Sequence, residues 1–154
     1  MRRTARCVLV LLVAVALAAC GSDKKSDQVN SQTKPEVTVP SGNPPTALEQ
    51  KDLSVGKGAE ATKGKKVSVQ YVGVAFSTKK EFDASWGRGK PFEFVLGAGN
   101  VIKGWDEGVA GMKVGGRRQL VIPPDLAYGA TGYPPVIAPN ETLVFVVDLV
   151  GVTS

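Results

Sequence analysis

The sequence predicts an α+β fold, with one short α-helix laid on a face of an antiparallel β-sheet. Apolar and polar residues alternate in several short stretches, which is typical of strands with one covered face. One stretch has its apolar residues at helical spacing, and the last stretch is apolar on both faces. Strands that succeed one another through short turns, with a lone helix among them, favour this architecture.

The first predicted strand lies in KKVSVQYVGV, residues 65–74. From Val67 to Tyr71 every second residue is apolar, and Ser68 and Gln70 stand between them, so one face is expected to be covered. The same alternation recurs further along, at Phe92, Phe94 and Leu96.

Two more strands are predicted in the second half of the chain. Residues 117–122 form one, which ends at Pro123 and Pro124 because proline cannot continue a ladder of hydrogen bonds. The other is TLVFVVDLVGV, from Thr142. Its β-branched residues on both faces predict a strand in the middle of the sheet, covered on both sides.

The predicted helix follows the glycine-rich stretch FVLGAGNVIKGWDEG, residues 94–108. Its apolar stripe consists of Val101, Ile102, Trp105 and Val109. The charged residues outside the stripe are Lys103, Asp106 and Glu107.

A strand, a glycine turn and a helix in this order also build phosphate-binding loops. The dinucleotide fingerprint G-x-G-x-x-G fails here, because Ile102 stands where a third glycine should follow Gly97 and Gly99. The Walker pattern fails as well, because Trp105 and Asp106 occupy the places of its lysine and hydroxyl residue. The turn therefore does not predict a nucleotide site.

The N-terminus predicts export. Residues 1–19 hold three arginines and then an unbroken apolar run, the pattern of a signal peptide. The tetrapeptide LAAC resembles the lipobox of bacterial lipoproteins, so Cys20 is the expected lipid attachment. Residues 20–47 are poor in large apolar side chains and predict a disordered tether before a domain at 48–154. We expect an envelope or membrane location, with the domain facing outside the cytoplasm.

The composition excludes several kinds of site. The chain has no histidine, and its two cysteines are Cys7 in the predicted signal and Cys20, so we expect no metal, no cofactor and no thiol chemistry in the domain. Loss of Arg2, Arg3 and Arg6 with the signal leaves 16 of the 19 basic residues against 14 acidic ones. This near balance gives little support to nucleic-acid binding.

The aromatic residues expected between helix and sheet are more numerous than packing against one short helix requires. They are Tyr71, Phe82, Phe92, Trp105, Tyr128 and Phe145. The surplus indicates a pocket, although the same residues could simply be core, and periodicity does not separate the two possibilities.

Seven motifs together resemble the FK506-binding-protein (FKBP) family of peptidyl-prolyl isomerases, over about residues 48–152. They are VQYVG, EFDAS, GKPFEFVLG, VIKGWDEGV, MKVGGRR, IPPDLAYGATG and TLVFVVDLV. The resemblance implies a sheet half-wrapped around the helix, with a shallow apolar pocket between them. The implied pocket residues are Tyr71, Phe82, Asp83, Arg88, Phe92, Val101, Ile102, Trp105, Tyr128, Ile137 and Phe145.

The resemblance also implies roles for these residues. Trp105 is the expected floor, and the Ile102 N–H and Tyr128 hydroxyl are expected to orient substrate carbonyls. Asp83 is expected near the rotating carbonyl, held by Tyr71 and Arg88. The alternative for Asp83 and Arg88 is a surface ion pair that contributes little.

The residues from 126 to 140 contain three prolines, and the segment is either a stiffened flap over the pocket or an ordinary connection. Tyr133 stands where a histidine is familiar in the family, and Asn100 replaces an acidic residue. We expect these departures to affect peptide preference and macrolide affinity more than activity.

Isomerisation of an Xaa-Pro bond changes no covalent bond and requires neither nucleophile nor metal, which agrees with this composition. We therefore expect an isomerase that acts on proline-containing polypeptides, binds FK506 or rapamycin-like macrolides and is a monomer. The alternative is a binding module or holdase that uses the same pocket without turnover. A solute-binding lipoprotein is disfavoured, because the domain is small and has no second lobe.

Overall fold

The computed structural model describes residues 33–154, and six of its strands form one antiparallel sheet. The strands are β1 (Glu49–Ser54), β2 (Lys66–Ala75), β3 (Glu81–Ala84), β4 (Phe92–Val95), β5 (Arg117–Ile122) and β6 (Leu143–Thr153). Their order across the sheet is β1-β5-β6-β2-β3. The remaining strand, β4, also pairs with β2. A helix, α1 (Lys103–Gly108), and a 3-10 turn (Pro124–Leu126) complete the elements.

The central position of β6 confirms the prediction made from its pattern. It pairs with β2 along one side and with β5 along the other. Every residue from Leu143 to Leu149 is buried, so both faces of this stretch are covered. On β2 the predicted alternation also holds, because Val67, Val69 and Tyr71 face the core.

The helix is shorter than its predicted apolar stripe. Val101 and Ile102 precede α1, and Ile102 has an extended backbone with φ −59° and ψ 148°. Val109 follows the helix as its C-terminal cap. The β-branched pair before the helix favours an extended backbone, so the stripe combines residues of a turn with residues of a helix.

Two glycines bring α1 close to β5. A Cβ added at Gly104 would lie 2.3 Å from the Ile122 side chain, and one added at Gly108 would lie 2.7 Å from the Leu120 side chain. Any larger residue at either position would separate the helix from the sheet. The contact places Trp105 in the core between them, where its side chain is 4% exposed.

The apolar patterns of the sequence do not reveal β1 or β3. The side chains of β1 are almost all exposed, and the strand pairs only with β5 at an edge of the sheet. With neither face buried, its sequence EQKDLS carries no alternation. The short β3 pairs with the end of β2 through a bulge.

Residues 33–38, which the sequence places in the tether, contact the domain. The Gln119 side-chain amide donates to the Thr38 carbonyl at 2.6 Å, and Lys34 lies 2.9 Å from Glu81. Pro35 is buried. The predicted signal peptide, Cys20 and the tether up to residue 32 lie outside the described residues. Within residues 33–154, no helix is long and apolar enough to cross a membrane.

A buried ion pair joins β5 to β6. Arg117 and Asp148 are register partners, and the guanidinium donates to both carboxylate oxygens, at 2.5 Å and 2.7 Å. Their side chains are 6% and 0% exposed. Burial raises the pKa of Asp148, and Arg117 opposes this by stabilising the carboxylate.

We predict that Arg117→Met lowers the free energy of unfolding by about 3 to 5 kcal/mol, because it leaves the Asp148 carboxylate buried without its cation. Urea denaturation followed by tryptophan fluorescence measures the loss. The loss should shrink as the pH falls toward about 4, because Arg117 lowers the pKa of the buried Asp148, and without it the folded variant takes up a proton at a higher pH than the folded wild type does.

The control is Lys66→Met, which removes a pair with Glu93 whose side chains are 49% and 50% exposed. This loss should stay below about 1 kcal/mol at neutral pH. Equal losses in the two variants would contradict the importance given to the buried pair.

Candidate active site

A cavity of about 350 Å³ opens between the helix and the sheet. Ten of the eleven predicted pocket residues line it, joined by Asn100, and Ile137 is the one that does not. The lining residues are Tyr71, Phe82, Asp83, Arg88, Phe92, Asn100, Val101, Ile102, Trp105, Tyr128 and Phe145. Some of the aromatic residues noted in the sequence therefore line a cavity, and they do not all serve only as core.

The Trp105 indole is surrounded by aromatic rings. Its centroid lies 4.9 Å from that of Tyr71, 5.3 Å from that of Phe145 and 6.0 Å from that of Phe92, with all three rings nearly perpendicular to it. Such edge-to-face pairs add to the energy of apolar burial and fix the rings. Phe92 remains 37% exposed and forms part of the cavity rim.

Gly73 makes room for two of the rings. A Cβ at this position would lie 2.7 Å from the Phe145 ring and 2.8 Å from the Phe82 ring. Gly73 and Phe145 are register partners on neighbouring strands, and the two rings meet edge to face at 5.6 Å. A larger residue at position 73 would displace one ring from the cavity wall.

Asp83 is held at the cavity edge from two sides. The Tyr71 hydroxyl donates to its Oδ2 at 2.6 Å, and Arg88 donates to its Oδ1. Burial, followed by the hydrogen bond to Asp83, raises the pKa of Tyr71 to about 12. The phenol therefore remains a protonated donor throughout the neutral range.

Among residues 33–154, neither the Ile102 backbone N–H nor the Tyr128 hydroxyl has a hydrogen-bond partner, and the buried Trp105 indole N–H at the same cavity has none either. Burial and the charge of Asp83 raise the pKa of Tyr128, so this group also stays protonated. Both residues lie beside the apolar floor of Trp105. The arrangement can bind an apolar ring and donate hydrogen bonds to the carbonyls that flank it.

Ile137 lies in the core instead of lining the cavity. Its backbone N–H and carbonyl both pair with Tyr133, at 2.9 Å each, which closes a small loop. The side chain is 3% exposed and packs in the main hydrophobic cluster. The backbone pairing within the loop, which periodicity does not reveal, places it there.

Asn100 and Asp106 are absent from the predicted pocket residues, although the sequence marks Asn100 as a departure from the family that bears on peptide preference. Asn100 lines the cavity, and its position directly before Val101 was the available signal. Asp106 accepts hydrogen bonds from the Gly97 and Gly99 amides. Helical spacing placed Asp106 outside the apolar stripe, and no sequence signal indicated that it bonds to the turn.

A larger hollow of about 750 Å³ lies elsewhere, between residues 36–40 and the edge strand. Its walls are mostly charged, amide and small side chains, and no aromatic residue lines it. Specific small-ligand sites combine apolar walls with a few convergent polar groups, and the aromatic cavity fits this description better.

Comparison with known proteins agrees with this geometry. The sequence pattern of the FKBP-type peptidyl-prolyl cis-trans isomerases matches residues 57–150. An FK506-binding protein of Streptomyces anulatus is 62% identical over 120 residues, which cover 77% of this chain and 97% of that protein. The peptidyl-prolyl cis-trans isomerase FPR2 of Saccharomyces cerevisiae is 54% identical over 95 residues, which cover 62% of this chain and 70% of that protein.

The fold matches as well. The crystal structure of AtFKBP13 aligns with a TM-score of 0.65 at 41% identity, covering 71% of this chain and 95% of that one. The predicted α+β architecture is thereby confirmed. The chain belongs to the FKBP-type peptidyl-prolyl cis-trans isomerases.

Proposed function

We propose that this isomerase accelerates Xaa-Pro rotation in exported or cell-envelope proteins, and that the reaction takes place over the Trp105 indole. The observation that carries the proposal is the aromatic cavity with a polar edge on one side. Uncatalysed rotation takes tens to hundreds of seconds, which is long for a chain exposed outside the cytoplasm.

The chemistry needs no covalent step. The barrier of about 18 to 20 kcal/mol arises from amide resonance, which is lost as the bond twists. In the twisted amide the carbonyl carries less charge and the bond is less dipolar. Transfer from water to an aromatic cavity therefore favours the twisted form over the planar one, and each 1.36 kcal/mol of this preference raises the rate tenfold.

The apolar part of the site would hold the proline ring. Tyr71 and Phe145 come from neighbouring strands, and Trp105 closes the floor beneath them. Phe92 contributes the outer wall, where its partial exposure leaves a face for substrate. A ring of pyrrolidine size needs such a shallow apolar hollow rather than a deep one.

The polar edge would orient the carbonyls and act on their charge. The Ile102 N–H and the Tyr128 hydroxyl are donors for the carbonyls on either side of the proline. The Asp83 carboxylate would repel the negative carbonyl oxygen of the planar amide more than that of the twisted amide. Its two hydrogen bonds, from Tyr71 and Arg88, keep it in place for this role.

The names of relatives suggest a macrolide ligand. Several relatives, including the Streptomyces anulatus protein, are called FK506-binding proteins. The present chain belongs to the same family. We propose that FK506 occupies the aromatic cavity and competes with proline peptides. We also propose that the domain works as a monomer, because the cavity is lined within one chain.

We further propose that Cys20 anchors the enzyme to the membrane. The support is the sequence: LAAC follows an apolar run after three arginines, and polar residues follow the cysteine.

For the cavity wall, Phe92→Ala should lower kcat/KM about 10- to 100-fold, because water then reaches the amide and favours its planar form. A protease-coupled assay with a proline peptide measures cis-to-trans conversion. The matched control is Leu53→Ala, because Leu53 is 38% exposed against 37% for Phe92 but lies at the larger hollow. Unchanged catalysis in a folded Phe92→Ala protein would refute this placement, and binding without acceleration in the wild type would favour a holdase.

For the polar edge, Tyr71→Phe should lower kcat/KM about tenfold, because Asp83 loses a short charge-assisted hydrogen bond. With a Tyr71 pKa of about 12, the wild-type rate should be flat from about pH 6 to 9, since the hydroxyl stays protonated there. Tyr133→Phe is the control, as this exposed ring lies outside the cavity lining. A full rate in Tyr71→Phe would exclude the proposed role of the hydroxyl.

For the anchor, Cys20→Ser should move the full-length protein from the membrane fraction to the soluble fraction of a bacterial host and abolish labelling by an alkyne fatty acid. Cys7→Ser is the matched control, because this residue leaves with the predicted signal peptide and should change neither readout. Persistent labelling of Cys20→Ser would rule out this attachment site.

A further inference from the structure

We infer that Asp106 is a positioning residue whose carboxylate holds the glycine turn, residues 97–102, and thereby keeps Val101 and Ile102 at the cavity wall. The inference rests on the proposed function, in which the Ile102 N–H orients a substrate carbonyl. Asp106 itself does not line the cavity, so it would act through the turn and not through substrate.

Both carboxylate oxygens of Asp106 are used by the turn. Oδ1 accepts from the Gly97 N–H at 2.8 Å, and Oδ2 accepts from the Gly99 N–H at 3.0 Å. Hydrogen bonds to an ionised acceptor are stronger than neutral ones, and two of them fix the turn at two points. Both glycines have positive φ, 76° and 73°, so the turn has a backbone that other residues rarely adopt.

This geometry explains the likeness of the stretch to a phosphate loop. Backbone N–H groups that converge in a turn form an anion-binding concavity. In nucleotide sites such a concavity takes a phosphate, whereas here the carboxylate of the helix that follows fills it. The turn is thus bound to its own helix instead of to a ligand.

The helix also holds the far end of the same turn. The Trp105 and Asp106 amides donate to the Ile102 carbonyl at 2.9 Å and 3.3 Å. Asp106 therefore contacts both ends of the turn and is the chain neighbour of Trp105, the cavity floor. Through these bonds the distance between the floor and the wall at Val101 and Ile102 becomes fixed.

The test is Asp106→Asn, which leaves one acceptor and turns an amide NH2 group toward the second N–H. KM for a proline peptide should rise about tenfold while kcat stays within about twofold, because the Ile102 donor binds the planar and twisted amides alike. Hydrogen exchange of the Gly97 and Gly99 amides should accelerate about tenfold. Asp106→Glu, which keeps both acceptors, should return KM to within about threefold of the wild type.

The matched control is Glu107→Gln, which removes the same charge from the next residue of the helix and should change none of these readouts. A wild-type KM in Asp106→Asn despite faster amide exchange would reduce Asp106 to a structural role and overturn the inference. Unchanged exchange would overturn it too. If the wild type proved inactive, that result would count against the proposed function alone. Peptide affinity, measured by tryptophan fluorescence, would then still decide between these outcomes.

Discussion

The close contact between a six-residue helix and one side of the sheet is the constraint on which the site depends. Because Gly104 and Gly108 lack side chains, α1 lies directly against β5. From this short helix the Trp105 side chain packs against Tyr71 on β2 and Phe145 on β6. Tyr71 and Phe145 on these strands are buried, whereas Phe92 at the rim is 37% exposed, so a bound proline ring would cover Phe92. The cavity is therefore a region of the core that the chain leaves unfilled.

The polar groups at the cavity agree with a reaction that changes only a torsion angle. Tyr71 and Arg88 donate hydrogen bonds to Asp83, whereas the Ile102 N–H and the Tyr128 hydroxyl have no partner among the described residues. A preorganised carboxylate beside unpaired donors can act on the charge of an amide without exchanging a proton. The raised pKa values of both tyrosines follow from the same burial that creates the apolar floor. Packing and electrostatics at this site thus have a common cause.

The sequence predicted the elements that carry a clear apolar pattern, on one face or on both, and missed those that carry none. The alternation in β2 and the two apolar faces of β6 were sufficient to place these strands. The exposed β1 offered no pattern. The predicted apolar stripe around Trp105 includes residues of a turn as well as of the helix, because spacing alone does not distinguish a turn from a helix. Aromatic residues and the family motifs led to nearly all of the cavity lining. The backbone pairing that buries Ile137 and the bonds of Asp106 depend on turn conformation, which side-chain periodicity does not encode.

Arg117 donates a hydrogen bond to the Thr33 carbonyl at 3.0 Å, and this contact bears on how far a tether from Cys20 could reach. Thr33 stands 13 positions after Cys20, the proposed lipid attachment. Even a fully extended chain of that length reaches no more than about 45 Å. A tether that ran freely to residue 47 would have roughly twice this span. With the lipid on Cys20 as we propose, the contact at Thr33 would hold the domain within about 45 Å of the bilayer.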